Sequence, residues 1–372
     1  MIIGVDIRDL RLAKTGQKTM LEELCREFRL LENETTRFYF FDSPFPVYTG
    51  RNKFMLILEH IRQQSWKQLV LPVKAWSKHC DVVFCNDYFA PYIHLRYKTV
   101  QVFHDAFFYE YPGHYNRIWF LLFRYIAMPA ARKSSFIIAP SNYARKTIHQ
   151  HTHIPLEKIV PIYEGPKTLV SANSNPLLTP WLPVNFGYQY ILHVGVLEKR
   201  KNLPALILAY KQLNKEYPNF KLVLAGQGNG KMHSDDSNHI HAVVRENNLE
   251  KEVLMPGYLT DQVLATVYQH AFMYVFPSIN EGFGIPILEA FSFALPVLAA
   301  NNTCLPEIGG DAILPFDPYD TKDIFCKMKD IIENETLRNH LKEAGKKRLA
   351  FFSWKKAAEE LVEVFRKTAV QL

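Results

Sequence analysis

The sequence predicts an α/β protein with two doubly wound parallel sheets, and three observations carry that prediction. Short β-branched or aromatic runs alternate with helix-length segments along the chain, the pattern of βαβ units whose sheets are covered on both faces. The length of 372 residues exceeds the ~250–300 at which a single core stops growing. Between the two series of runs, GPKTLVSANSNPLLTPWLPVNFG (165–187) is rich in Pro, Ser and Asn without hydrophobic period, as suits a linker. The expected division is a first domain over 1–165, a linker over 166–187, a second domain over 188–352 and a closing helix over 353–372.

In chain order the strand-like runs are IIGVDI, RFYFFD, DVVFCN, TVQVF, SFIIAPS and KIVPIY, then YQYILHVGV, FKLVLAG, EVLMPGY, MYVFPS and LPVLAA. The opening MIIGVDIRDL lacks a basic segment ahead of a long apolar one and reads as the first strand. The most apolar stretch, IWFLLFRYIAMPAA (118–131), is broken by Arg124 and Pro129 and is shorter than the ~20 residues a membrane span needs. SWKKAAEELVEVFRK (353–367) opens on a Ser N-cap and keeps apolar residues at helical spacing, so it is read as a helix docking back on the first domain.

Composition is that of a globular protein, 48% hydrophobic and 22% charged, with a net charge of +7. Residues 1–165 hold 22 Lys/Arg against 15 Asp/Glu, and residues 166–372 hold 22 against 22, so the excess lies in the first half. A basic half suits nucleic acid, an anionic membrane surface or a phosphorylated substrate, or is merely a solvated surface. The five cysteines form no CxxC pair, which indicates neither a disulfide framework nor a zinc site and fits a reducing cytosol.

Three other stretches are weaker. AGQGNGKM (225–232) lacks the spacing of a P-loop and of GxGxxG and is read as a turn after a strand. HQHTH (149–153) has no acid or cysteine beside it in sequence and is read as a solvated loop rather than a metal site. LILEHIRQQSWKQLVLPVKAWSKH (56–79) mixes four Lys/Arg with two tryptophans. It fits a membrane-surface helix or an ordinary helix pair interrupted at Pro72.

The chemistry concentrates in FPSINEGFGIPILEAFSFALPV, which reads as strand, loop, helix, strand. Pro286 suits the first helical turn, where its missing N–H costs nothing, so the helix starts near Ile285. Glu281 then lies in the loop and Glu289 about one turn in, both at the carboxyl end of a strand, where open α/β sheets bind ligands. Gly282 and Gly284 let backbone N–H groups approach a ligand, and the helix N-terminus attracts phosphate. Two carboxylates would repel a phosphate unless they serve other groups, and a carboxylate accepts well from paired hydroxyls. A nucleotide-sugar has a diphosphate in the middle and a diol at each end. In ILHVGVLEKRKNLPALILAY, Gly195 and the cations Lys199, Arg200 and Lys201 stand between a strand and a helix, placed to hold that diphosphate.

Together GVLEKRKNL, GYLTDQVLATVYQHA, PSINEGFGIPILEA and LPEIGGDAILPFDPYD closely resemble the retaining glycosyltransferases of family 4, which have the GT-B fold of two Rossmann-like domains flanking a cleft. GVDIRDL, SWKQLVLPVKAW, VFHDAFFYEYP and IIAPSNYARKTI resemble their acceptor domain, so the resemblance spans nearly the whole chain. It implies that Glu289 holds the donor ribose, Glu281 the transferred sugar, and Arg200 and Lys201 the leaving diphosphate. The backbone of Gly195, Gly282, Phe283, Gly284 and Ile285 would line the donor subsites. His104 matches the histidine at the donor–acceptor junction, with Asp105 beside it. Two positions depart from the pattern: Val196 stands where many members have Arg, and the usual Gly-x-Gly loop reads KTGQKTM, keeping Gly16 and placing Lys18 toward an acceptor phosphate.

The resulting expectation is an enzyme moving a hexosyl group from a UDP- or GDP-sugar to a hydroxyl of a glycan or lipid-linked acceptor with retention. It would serve cell-surface polysaccharide biosynthesis in the cytoplasm, in peripheral contact with an anionic membrane and without nucleic acid. No D-x-D occurs in the sequence, so no metal and no cofactor are expected. The alternatives are a glycosidase, which would release sugar without a nucleotide, a nucleotide-sugar epimerase, which would need no acceptor, and a non-catalytic sensor.

Overall fold

The structure, a computed structural model, describes all residues except 13–15, 49, 51, 115–116, 170–179, 231–232 and 371–372. Six strands form the first sheet: β1 (Ile2–Asp6), β2 (Arg37–Phe41), β3 (Val82–Cys85), β4 (Lys98–Val102), β5 (Phe136–Ala139) and β6 (Ile159–Pro161). They lie in the order β2-β1-β3-β4-β5-β6 with every pair parallel. The second sheet contains β7 (Gln189–Val194), β8 (Phe220–Ala225), β9 (Val253–Gly257), β10 (Met273–Phe276), β11 (Val297–Ala300) and β12 (Ile313–Phe316). Its order is β12-β11-β10-β7-β8-β9, again all parallel. Central strands such as β3 and β10 are buried at every position, which is why their sequences run apolar without alternation. The sequence reading lacked β12, an edge strand with Pro315 and only partial burial, where the apolar signal is weakest.

The chain divides into two compact units, Met1–Gly165 with Ser353–Leu372, and Pro166–Phe352. In the first, the helix Trp354–Ala369 starts on Ser353, whose side chain accepts from Lys356 N. It returns to the helix Gly16–Leu31 and to β3 and β4. Phe365 is fully buried there, with ring centroids 6.0 Å from Phe28 and 5.5 Å from Phe84. In the second unit, Lys167 Nζ binds Asp261 at 2.6 Å and Pro183–Phe186 form a 3₁₀ turn. The described ends of the 166–187 segment are thus tied to that unit, while 170–179 lie outside the described residues.

Three local readings change. Gly16, Gln17 and Lys18 are not loop but the first turn of the helix Gly16–Leu31, where Lys18 pairs with Glu22 one turn on at 3.5 Å; Lys14 and Thr15 lie outside the described residues. HQHTH is not a loop either: His149 and His151 close the helix Asn142–Thr152, and His153 caps it in the left-handed region. Tertiary packing sets Glu110 3.5 Å from His151, a partner that sequence spacing hid. The segment around Pro72 is not interrupted: Lys53–Ser65 runs through a π turn, Trp66–Val70, into Leu71–Ser77. The wide turn absorbs the proline, which cannot donate to the preceding turn. In AGQGNGKM, Lys231 and Met232 lie outside the described residues, and Gly226 sits at φ +149° where a Cβ would come 1.8 Å from the Gly195 carbonyl oxygen. No helix among the described residues is long and apolar enough to cross a membrane.

Replacing Phe365 by Ala should destabilise the first unit by about 3–5 kcal/mol. Val370→Ala, at a position 89% exposed, should stay within about 0.5 kcal/mol. Calorimetric unfolding of the two variants checks this, and equal transitions would show that the closing helix is not part of that core.

Candidate active site

In the second sheet the winding reverses between β7 and β10: β8 and β9 lie beyond β7, β11 and β12 beyond β10. Doubly wound sheets bind ligands at the carboxyl edge of such a reversal, and here the loops leaving these two neighbours meet. After β7 the chain forms a 3₁₀ turn, Lys199–Lys201. The loop after β10 clasps it, since the Arg200 carbonyl accepts from Ile279 N at 2.8 Å and from Ser278 Oγ at 2.9 Å.

Glu281 closes this contact. Its Oε1 accepts from Lys201 Nζ and Ser278 Oγ, each at 2.6 Å, and its Oε2 lies 2.6 Å from Arg200 Nη1. Arg200 also donates from Nε to Glu198 at 2.8 Å and from Nη1 to the Asn280 carbonyl at 3.2 Å. The Lys201 ammonium stands 4.7 Å over the Phe276 ring. Burial alone would raise Glu281, but Arg200 and Lys201 overcome it and hold the carboxyl at about 2. Burial pulls Lys201 below its ordinary value, with Glu281 opposing. The buried Lys201, the partly exposed Arg200 and the buried Glu281 carboxylate therefore hold one another where the two loops meet.

The helix Ile285–Ser292 begins where Pro286 and the glycines require. Gly284 is at φ +105°, open at low cost to glycine alone. Cys304 Sγ contacts the carbonyls of Glu281 and Phe283 at 3.2 and 3.1 Å, holding the loop from beneath. The side chains of Phe283 and Ile285 are buried, leaving the Gly282–Ile285 segment to present backbone. Glu289 is buried one turn in and accepts from Tyr268 OH at 2.8 Å. Burial raises its pKa, against the Tyr268 bond and the charge of Lys167. Gly195 also lies here: a Cβ on it would stand 3.5 Å from Lys201 Cε. Gly195, Arg200, Lys201 and Glu281 thus converge, with Glu289 on the adjoining helix.

The first sheet reverses between β1 and β3, and His104 follows β4 at the same carboxyl edge. Its Nε2 bonds the Asn86 carbonyl at 3.1 Å, so Nε2 carries the hydrogen and Nδ1 the lone pair. Burial pushes the ring down to about 4, only partly offset by that bond. Asn86 also donates from Nδ2 to the Gln17 carbonyl at 3.0 Å, tying the Gly16–Lys18 turn to the His104 position. Asp105 accepts from Tyr88 OH at 2.8 Å. Next to them the fully buried Lys67 reaches Asp6 at 2.8 Å, Asp9 at 3.4 Å and Asp87 at 3.7 Å. Burial raises Asp9 to about 7 despite Lys67.

Sequence reasoning missed Ser278, Tyr268, Asn86 and the Lys67 cluster. Ser278 and Asn86 end strand-like runs, a placement that could have marked them. Tyr268 and the partners of Lys67 meet only through folding.

A profile described as glycosyl transferases group 1 matches residues 182–348, and one described as Glycosyltransferase Family 4 matches residues 15–168. The chain is 28% identical over 320 residues to O-antigen chain mannosyltransferase B of Escherichia coli, covering 83% of this chain and 78% of that protein. It is 34% identical over 182 residues to a serotype-specific mannosyltransferase WbdA of Escherichia coli, covering 48% of this chain and 22% of the relative, so it spans about a fifth of that relative's length. Among solved structures, Anabaena Alr3699/HepE in complex with UDP-glucose superposes with a TM-score of 0.71 at 17% identity, over 99% of this chain and 100% of that one. With two such profiles side by side over two parallel six-stranded units, the chain belongs to the group 1 glycosyltransferases of the GT-B fold.

Proposed function

We propose that this glycosyltransferase moves a hexosyl group, mannosyl by the names of its relatives, from a UDP- or GDP-sugar to a hydroxyl of a glycan or lipid-linked acceptor with retention, in polysaccharide or lipopolysaccharide synthesis. The triad of Glu281 with Arg200 and Lys201 at the β7/β10 crevice carries the reading. A diphosphate entering there offers the cations new anionic partners, and Glu281 is then released to accept from hydroxyls of the transferred sugar. As the glycosyl bond breaks, charge grows on the phosphate oxygens facing Arg200 and Lys201, which stabilises the transition state. Glu289 accepts from the ribose diol. His104, neutral with its Nδ1 lone pair fixed by the Asn86 bond, accepts from a sugar hydroxyl near the acceptor. A glycosidase acid needs a raised pKa, a role closed to Glu281, which Arg200 and Lys201 hold at about 2.

The membrane contact has its own support. Phe54, Ile57, Ile61, Leu69, Val73 and Trp76 are all exposed and recur at helical spacing along Lys53–Ser77, on the half of the chain that carries the basic excess. An apolar stripe on a basic surface suits the plane of an anionic leaflet.

Thermal-shift titration with UDP-, GDP-, ADP- and dTDP-sugars tests the donor class, since a ligand at 100 times its Kd adds about 2.7 kcal/mol; no shift with any of them would sink the reading. Lys201→Ala should lower kcat by about 10²-fold, while Glu289→Ala should chiefly raise the donor KM, because ribose contacts change little between ground and transition states. The reverse pattern would exchange the two subsites.

Turnover should persist in excess chelator, since Arg200, Lys201 and the helix N-terminus supply the positive charge; loss restored by magnesium or manganese would refute this. Vesicles containing phosphatidylglycerol should sediment the protein and neutral ones should not, with the binding weakened by salt and by Ile61→Asp. Equal recovery with both vesicle types would remove the membrane contact.

A further inference from the structure

His193 lies on β7 and is fully buried. Its Nδ1 is 3.0 Å from the Val275 carbonyl on β10, so Nδ1 carries the hydrogen and the bond spans the two strands at the winding reversal. That leaves Nε2 as a lone-pair acceptor, and among the described residues it has no hydrogen-bond partner. A buried acceptor left unpaired costs free energy, so its persistence calls for a reason. Its surroundings are specific. A Cβ on Gly195 would stand 3.2 Å from His193 Nε2, 3.5 Å from Lys201 Cε and 3.7 Å from Lys201 Nζ, so the lone pair and the ammonium face the same side of one glycine. Tyr274 stacks near the imidazole with ring centroids 6.2 Å apart, and Phe276 lies 6.0 Å away, fixing its plane. Burial, with the charge of Lys201 adding to it, pushes the ring down to about 3, so it is a neutral acceptor wherever the enzyme works.

Resting on the donor site described above, we propose that His193 is a positioning residue: its Nε2 accepts a hydrogen bond from the Lys201 ammonium when the donor sugar engages Glu281. In the ligand-free site Lys201 leans on Glu281 Oε1 at 2.6 Å. Once sugar hydroxyls occupy that carboxylate, the ammonium needs a second anchor that does not compete with the phosphate for its charge. A carboxylate would compete and an apolar side chain would leave it loose. A neutral imidazole lone pair holds the ammonium and leaves its charge to the diphosphate. No bond is made or broken by His193.

The two ring nitrogens can be separated by substitution. His193→Asn keeps a donor near Nδ1 for the Val275 carbonyl and loses the acceptor at Nε2; His193→Gln places its amide near Nε2 and loses the Nδ1 donor. The experiment measures kcat and KM with GDP-mannose and UDP-glucose, together with melting temperature. Losing a hydrogen bond to a charged group, H193N should lower kcat about 10-fold or more, with KM within about 2-fold and the melting temperature near that of wild type. H193Q should melt lower yet keep kcat within about 3-fold of wild type. An H193N enzyme with wild-type kcat would overturn the proposal. So would equal kcat losses in both variants that follow their loss of stability, since that marks a purely structural histidine. Wild-type turnover tests the donor reading itself, so its failure is told apart from failure of the His193 role.

Discussion

The contact between Glu281 and the Arg200–Lys201 pair joins two loops 80 residues apart in sequence, and the proposed donor site depends on it. The buried Lys201 could not be held there without an anion, because stripping a charge of water costs several kcal/mol. Glu281 could not stay ionised there without the cations, since burial alone would push it up. The buried Lys201 and Glu281 charges are each tolerable because the other is present, and Arg200, which also pairs with Glu198, adds to the hold on Glu281. The same mutual dependence makes the site responsive, for a ligand that brings two phosphates and several hydroxyls offers every member a replacement partner at once.

That contact needs a particular scaffold. An all-parallel sheet sets every strand's carboxyl end on one edge, and the pairing of β7 with β10 at the reversal sets the two loops that carry the charges side by side. The clasp of Ser278 and Ile279 on the Arg200 carbonyl fixes the turn, while Cys304 holds the Glu281–Phe283 loop from beneath. Gly284 permits the sharp entry into the helix, bringing backbone N–H groups to the crevice. Rigid strands thus aim flexible charged side chains, which is the division of labour expected of a preorganised electrostatic site.

The first unit uses the corresponding edge differently. Around the β1/β3 reversal it buries Lys67 among Asp6, Asp9 and Asp87, so one cation meets three carboxylates and burial lifts Asp9 to about 7. His104 stands at that edge through the Asn86 carbonyl. At this edge the second unit thus gathers two cations around one carboxylate, whereas the first gathers three carboxylates around one cation beside a neutral imidazole.

By itself the sequence determined the α/β class, eleven of the strands, the start of the helix at Ile285 and the residues Arg200, Lys201, Glu281 and Glu289 at one sheet edge. These follow from local rules: apolar runs, Pro at a first helical turn, Gly where a turn is sharp, and charges placed between strand and helix. It misjudged β12, the Gly16–Lys18 turn, the histidines at 149–153 and the segment around Pro72, where local composition was polar, edge-like or interrupted and packing against neighbours prevailed over propensity. Only the tertiary structure decided who pairs with whom. That Glu281 grips both cations, that Tyr268 holds Glu289, that Lys67 is buried among three acids and that His193 turns an unpaired lone pair toward Gly195 and Lys201 all require residues distant in sequence to meet. Spacing along a chain places a side chain at an edge or on a face; its partner, and hence its charge state, is set by what the other strands bring to the same few ångströms.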